Sequence, residues 1–333
     1  MRICVIGAGS IGGLLAAKLA RAGEEVSVVA RGAHLEAIRQ NGLRLIEEGG
    51  EFAVKVRATD RIGELGRQDC VILGMKAHQV AAVAADAPAL LDRETTILTA
   101  QNGIPWWYFF KHGGEHEGRR LESVDPGGVI ADHLPIDRVI GSVVYAAAEI
   151  AAPGVVRHIE SNRFSLAEID NSTTPRVAAL AETLTRAGVR APVVSDIRSE
   201  IWMKLWGNLT FNPVSALTHA TLEDICRYPP TRALAAQMMA EAQAIGEALG
   251  VRFRVSIDRR IAGAEAIGKH KTSMLQDVEA GRAIEADALL GSVIELGRVV
   301  GLAAPSLENV YALVKLMAKT LDEQRGRLKI APP

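Results

Sequence analysis

Cysteine is scarce in this chain. Three occur in 333 residues, Cys4, Cys70 and Cys226, widely separated and without a CxxC pair. That spacing argues against a disulfide frame and a cysteine-based metal site, and no metal is expected. Cys4 and Cys70 lie in apolar, strand-like runs, as buried thiols in a reducing compartment do. A long run of one charge is missing too: 38 basic and 39 acidic residues leave a formal net charge of -1. That balance gives no footprint for nucleic acid or for an anionic membrane. No stretch reaches the roughly 18 consecutive apolar residues of a membrane span. The opening MRICVIG also lacks a basic segment followed by a long apolar one. A soluble cytoplasmic protein is expected.

What the chain does have is length and patterned hydrophobicity. Its 333 residues, 48% of them hydrophobic, suffice for two domains and a sizeable core. The runs RICVIG (2–7), EVSVVA (25–30), VILGMK (71–76) and TTILTA (95–100) alternate with helical patterns at 10–22, 33–40 and 77–91. Such alternation predicts an α/β domain with a parallel sheet covered by helices. RVIGSVVYA (138–146), GVVRHIE (154–160) and RFSLAEI (163–169) lie close together and predict an antiparallel extension. A helix at 175–187 and a strand at 191–197 complete a Rossmann-type domain over 1–197. Helical patterns at 199–217, 231–249, 257–269, 284–300 and 306–324 then predict an all-α second domain over 198–333. Gly250 and Gly301 stand where glycines end helices.

GAGSIGG (7–13) gives the first domain its chemistry. Gly7, Gly9 and Gly12 form a GxGxxG pattern that comes after a strand and opens a helix. Gly7 allows a tight turn, Gly9 a close approach of backbone to a pyrophosphate, and Gly12 close helix–strand packing. Ala8, Ser10 and Ile11 complete a turn whose N–H groups face the phosphates. The bland alternative is a glycine turn with no dinucleotide. The second strand ends in Arg31 with no acid at hand. A carboxylate there would repel a 2′-phosphate and a guanidinium would grip it, so NADP(H) is expected. The bland alternative for Arg31 is a solvated loop residue. Lys76 and Asn102 mark two further strand ends on the edge where ligands bind in open α/β sheets.

WMKLWGNLTFN (202–212) opens the second domain with a polar stripe in an apolar helix. Residues four apart advance by about 40°, so Lys204, Asn208 and Asn212 span only about 80° of the helix surface. Trp202, Leu205, Trp206 and Leu209 lie on the adjacent arc. A half-dry lysine has its pKa lowered and suits proton donation near neutral pH, while amides bind hydroxyls or carbonyls without adding charge. A snorkelling structural lysine beside capping amides is the competing reading.

The order of GAGSIG, MKAHQ, QNG, IRSEIWMKLWGNLTFNPVSAL and TSMLQDVEAGRAIEAD resembles the ketopantoate reductase (2-dehydropantoate 2-reductase) family over nearly the whole chain. The resemblance implies a Rossmann domain for NADPH and an all-α domain for a small 2-oxo acid. It implies Lys204 as catalytic acid, aided by Glu285, and Asn102, Asn208, Asn212 and Ser273 as substrate contacts. It further implies Lys76, Asn102 and Glu285 near the nicotinamide end, with Ala147 close to the cofactor. Taken alone, Ser273 with Gln276 fits a capping box and Glu285 fits a helix-dipole partner.

Two features depart from that pattern. Five of the fourteen aromatic residues sit at Trp106, Trp107, Tyr108, Phe109 and Phe110, before a long polar segment, 111–126, expected as a loop. They read either as interface packing or as an altered pocket lid. His270 stands where the family often has asparagine. The leading expectation is reduction of ketopantoate to pantoate. The alternatives are a paralogous NADPH-dependent reductase of a bulkier 2-oxo acid and a non-catalytic NADPH-binding sensor. A homodimer is possible through the apolar helical faces of 284–324.

Overall fold

The computed structural model describes residues 1–324; the last stretch of the expected second domain, 325–333, lies outside the described residues. The chain divides into two compact units, Met1–Glu200 and Ile201–Pro333.

The first unit is built on β1 (Arg2–Ile6), β2 (Glu25–Val29), β3 (Leu43–Glu47), β4 (Gly50–Val54), β5 (Arg57–Thr59), β6 (Cys70–Leu73), β7 (Thr96–Thr99), β8 (Val139–Val144), β9 (Ala147–Ala152), β10 (Val155–Glu160) and β11 (Phe164–Glu168). Seven of them form one sheet in the order β11-β8-β7-β6-β1-β2-β5, parallel except for β11 against β8. The central strands β6, β7 and β8 are buried along their whole length, as strands covered on both faces must be. Helices α1 (Ser10–Arg21), α2 (Gly32–Asn41), α3 (Ala81–Ala84), α4 (Val129–His133) and α5 (Pro175–Arg186) connect them. Strand order reverses at β1, which pairs with β2 on one side and β6 on the other. The loops after β1 and β6 therefore emerge together at a topological switch point.

Three expectations for this unit need correction. The segment 154–160 does not extend the main sheet: as β10 it joins a second sheet, β4-β3-β10-β9. The hairpin β3–β4 in that sheet was not expected; it turns through Gly49, at a φ of +93°. The helix expected over 77–91 is a chain of short turns around α3, because Pro88 cannot continue a helix. The strand expected at 191–197 amounts to isolated bridges at Arg190 and Val193. Pro192 has no N–H to give a ladder; only its carbonyl accepts, from Leu166.

α6 (Ile197–Thr218) starts in the first unit and carries the lysine stripe into the second. The second unit continues with α7 (Leu222–Arg227), α8 (Pro229–Ala248), α9 (Ile257–Ala266), α10 (Ser273–Glu279), α11 (Ser292–Val299) and α12 (Pro305–Glu323). Trp202 and Trp206 are buried against Phe253, and Trp206 Nε1 donates to the Met239 carbonyl at 2.8 Å. Gly246 admits Phe253, whose ring would lie 2.9 Å from any Cβ there. Gly250 and Gly301 come after α8 and α11 with φ of +84° and +72°, the left-handed region that suits glycine. The helix expected over 284–300 is not uniform: a π turn, Asp287–Gly291, precedes α11.

Candidate active site

The glycine turn occupies the switch point. Gly7 has a φ of +92°, and a Cβ there would meet the Met75 nitrogen at 2.8 Å. At Gly12 a Cβ would lie 2.0 Å from the Gly7 carbonyl oxygen. Gly9 is the opposite case, with nothing within 4 Å of where its Cβ would be. Two glycines thus serve packing, while the third leaves backbone open before α1, whose N-terminus no side chain caps. Ala8 is buried and donates its N–H to the Val29 carbonyl; Ser10 and Ile11 form the half-buried first turn. Open backbone at an uncapped helix start fits a pyrophosphate. Arg31 is exposed at the end of β2, as the residue before α2.

Two residues to which the sequence assigned no role shape this rim. His34 Nδ1 accepts the Gly154 N–H at 3.0 Å, which leaves Nε2 as the donor to the Ala8 carbonyl at 2.8 Å. Burial pulls the imidazole below its ordinary value, so it stays neutral and holds the turn through one tautomer. Gln101 donates to the carbonyls of Leu73 and Met75, at 2.6 and 3.2 Å. It ties the loop bearing Asn102 to the loop bearing Lys76, both half-buried residues. Ala147 opens β9, also half-buried. Sequence reasoning missed His34 and Gln101 because only the fold reveals their partners.

In the second unit, α6 buries Trp202, Leu205, Trp206 and Leu209, leaving Lys204 and Asn208 half-buried beside them. Burial pulls the Lys204 ammonium down to about 8, and the Glu285 carboxylate opposes that pull. Glu285 is half-buried just ahead of the π turn. Asn212 is buried and its Nδ2 donates to Ser273 Oγ at 3.3 Å. The cap of α10 is Thr272, whose hydroxyl accepts the Leu275 N–H at 3.3 Å. Ser273 is therefore not the cap that its spacing to Gln276 suggested; its hydroxyl receives the Asn212 amide instead. Lys204 and Glu285 form one cluster, Asn212 and Ser273 another, with Asn208 on the same stripe.

The family described as "Ketopantoate reductase PanE/ApbA" matches residues 3–171, and its C-terminal counterpart matches 196–318. This chain belongs to the ketopantoate reductase family. A 2-dehydropantoate 2-reductase from Mesorhizobium japonicum is 56% identical over 319 residues, 96% of this chain and 98% of that one. A solved structure from Ralstonia solanacearum MolK2, proposed to be a ketopantoate reductase, has TM-score 0.92 and 43% identity, covering 96% and 98% of the two chains. D-mandelate dehydrogenase, solved with NADH and anilino(oxo)acetate, shares the fold at TM-score 0.83 and 22% identity, over 97% of this chain and 100% of that one.

Against that family background, the aromatic departure has a structural explanation. Trp106, Trp107, Tyr108 and Phe109 are buried, which favours the packing reading over an altered pocket lid. Trp107 Nε1 donates to Thr99 Oγ1 at 3.1 Å, and its ring lies against Gly141, where a Cβ would be 2.8 Å away. Arg198, in the first turn of α6, donates to the carbonyls of Tyr108, Phe110 and Ile169. Four of the five rings are core, Phe110 is half-buried, and a buried arginine is the segment's hydrogen-bonding pin. His270 uses its backbone carbonyl to receive the Leu222 N–H at the start of α7. Cys4 and Cys70 are buried, with thiols pushed up to about 12. Among the described residues no metal-holding cluster of His, Cys, Asp or Glu occurs, and no helix is long and apolar enough to cross a membrane.

Proposed function

We propose that this chain is a 2-dehydropantoate 2-reductase, reducing the C2 carbonyl of ketopantoate to the hydroxyl of pantoate on the route to pantothenate and coenzyme A. The observation that carries the reading is Lys204: an ammonium half-buried on an apolar helix, opposed by Glu285 and flanked by amides. NADPH, when bound, supplies the hydride. As negative charge grows on the carbonyl oxygen, Lys204 stabilises it and delivers the proton. With its pKa near 8 the lysine is charged at neutral pH yet releases a proton readily. Glu285 orients Lys204 and keeps burial from discharging it. Asn208 and Asn212 bind the distal hydroxyl, and Ser273 and Asn102 orient the carboxylate. The Gly7–Gly12 turn takes the pyrophosphate, Arg31 the 2′-phosphate, and Lys76, Asn102 and Ala147 serve the nicotinamide end.

The fully covered relative at 56% identity, named for this reaction, supports the assignment. Reduction of a bulkier 2-oxo acid is the second reading, favoured by His270 and by the departure at Trp106–Phe110. A non-catalytic sensor would have no use for the paired Lys204 and Glu285. Exposed Leu313 and Leu316 on α12 support a homodimer, and a biosynthetic NADPH reductase fits a cytoplasmic setting. The test is NADPH oxidation with ketopantoate against a panel of larger 2-oxo acids. A kcat/KM highest for ketopantoate is expected. Preference for a larger acid would replace the substrate and keep the mechanism.

A further inference from the structure

A feature outside the residues assigned so far lies directly downstream of Glu285. The turn Asp287–Gly291 is a π turn, closed by the Ser292 N–H donating to the Asp287 carbonyl. Such turns are rare and their wider hydrogen-bond geometry is poorer than that of an α-helix, so one persists only where its surroundings hold it. Here they do. Asp287, the first residue of the turn, accepts from the Tyr311 hydroxyl at 2.5 Å and from Lys315 Nζ at 3.0 Å. The Tyr311 ring passes over Gly291, where any Cβ would come within 3.1 Å of the phenol oxygen. Ser292 Oγ donates back to the Ala288 carbonyl at 2.7 Å.

This mounting has a consequence for Glu285. Ile284 and Ala286, on either side of it, are buried at 8% and 3% exposure, so the chain is seated before and after the carboxylate. The next fixed point is Asp287, whose two donors both come from α12. We propose that Asp287, locked to Tyr311 and Lys315, is a positioning residue that mounts the π turn and thereby aims Glu285 at Lys204. It acts through Glu285 and touches no reacting atom. The inference rests on the reading of Lys204 as the acid.

Charged groups reach this cluster from several elements. Asp287 lies on the turn and Glu285 just ahead of it, Lys204 on α6, Lys315 on α12 and Arg298 on α11. Arg260 of α9 lies against Gly207, its Nη2 2.3 Å from where a Cβ would be. Burial and the Asp287 carboxylate push the Tyr311 hydroxyl up, so it remains a donor across the working pH range. Asp287 and Lys315 are partly exposed, at 40% and 47%. Their ion pair contributes little stability, and its value is geometric.

Tyr311→Phe is the cleanest variant because it removes one donor and no charge. Lys315→Met is a milder second variant on an exposed side chain, and Lys319→Met, a turn further along α12, is the control. The readout is the titration of Lys204 in protein carrying 13Cε-labelled lysine, its signal assigned by its loss in Lys204→Arg. With Glu285 no longer aimed, burial acts on Lys204 unopposed. Tyr311→Phe should lower the titration midpoint by about one pH unit, Lys315→Met by less, and Lys319→Met not at all. In turnover, kcat should fall about tenfold in Tyr311→Phe with the NADPH KM unchanged. An unmoved Lys204 midpoint in folded Tyr311→Phe and Lys315→Met would overturn the proposal. Because the titration needs no substrate, it reads the positioning even if ketopantoate proves to be the wrong acid.

Discussion

The glycine turn and the lysine stripe solve opposite problems, and the contrast explains why their residues differ. At the turn, chemistry depends on what is missing: Gly9 faces open space while Gly7 and Gly12 leave no room for any side chain. In the proposed function, affinity there comes from bare backbone, whose N–H groups need no burial to be useful. On α6, chemistry depends on what is retained: a lysine and two amides kept beside buried tryptophans, with the ammonium lowered to about 8. On that reading, the first region binds without changing any group's protonation. On the same reading, the second accepts a cost in charge burial in order to move a proton. Substitutions in the two regions should therefore separate binding from turnover.

The largest effect is expected at Lys204. Lys204→Ala should reduce kcat by about 10³-fold while the NADPH dissociation constant, read by fluorescence titration, stays within a factor of about two. Parallel loss of both would erase the contrast. Next comes the glycine pair. Gly12→Ala puts a Cβ against the Gly7 carbonyl and should cost roughly 1–3 kcal/mol in denaturant unfolding, NADPH binding falling with it. Gly9→Ala, with nothing within 4 Å, should leave unfolding unchanged and still weaken NADPH about tenfold or more. Equal effects in the two variants would mean that open backbone is not what binds.

Arg31→Ala is a finer test of the same rim. It should raise the KM for NADPH roughly tenfold, less at high salt, and leave that for NADH unchanged. His34 gives the smallest effect. Its folded pKa is lowered, so the neutral ring contributes stability in full above the ordinary histidine value of about 6.5, and that contribution is lost as pH falls below it. Urea unfolding should show stability declining between neutral and mildly acid pH. His34→Ala, lacking the titrating ring, should flatten that slope.

How much of the molecule is legible in its sequence depends on the range of each interaction. GAGSIGG states its turn within seven residues, and the stripe on α6 is written at spacings of four. The main parallel sheet was legible because its strands are short, apolar and separated by helical patterns. The second sheet was not, since β3 and β10 are far apart in sequence and neither shows a strict alternation. The Ser273 spacing misled because Thr272, one residue earlier, caps equally well by chemistry, and only backbone geometry chooses between them. The aromatic run was ambiguous because burial within one unit and burial at an interface demand the same residue types. Tyr311 and Asp287 meet across 24 residues, and a π turn has no sequence signature to announce the meeting.

The account turns on Lys204 as a proton donor tuned by burial, and the pH dependence of kcat/KM for ketopantoate at saturating NADPH tests it most directly. The acid acts in its charged form, so activity should hold at neutral pH and fall tenfold per unit as pH rises through about 8. Lys204→Ala should show a low rate without that limb. A wild-type profile that stays level up to the ordinary lysine range, near 10.4, would contradict the account.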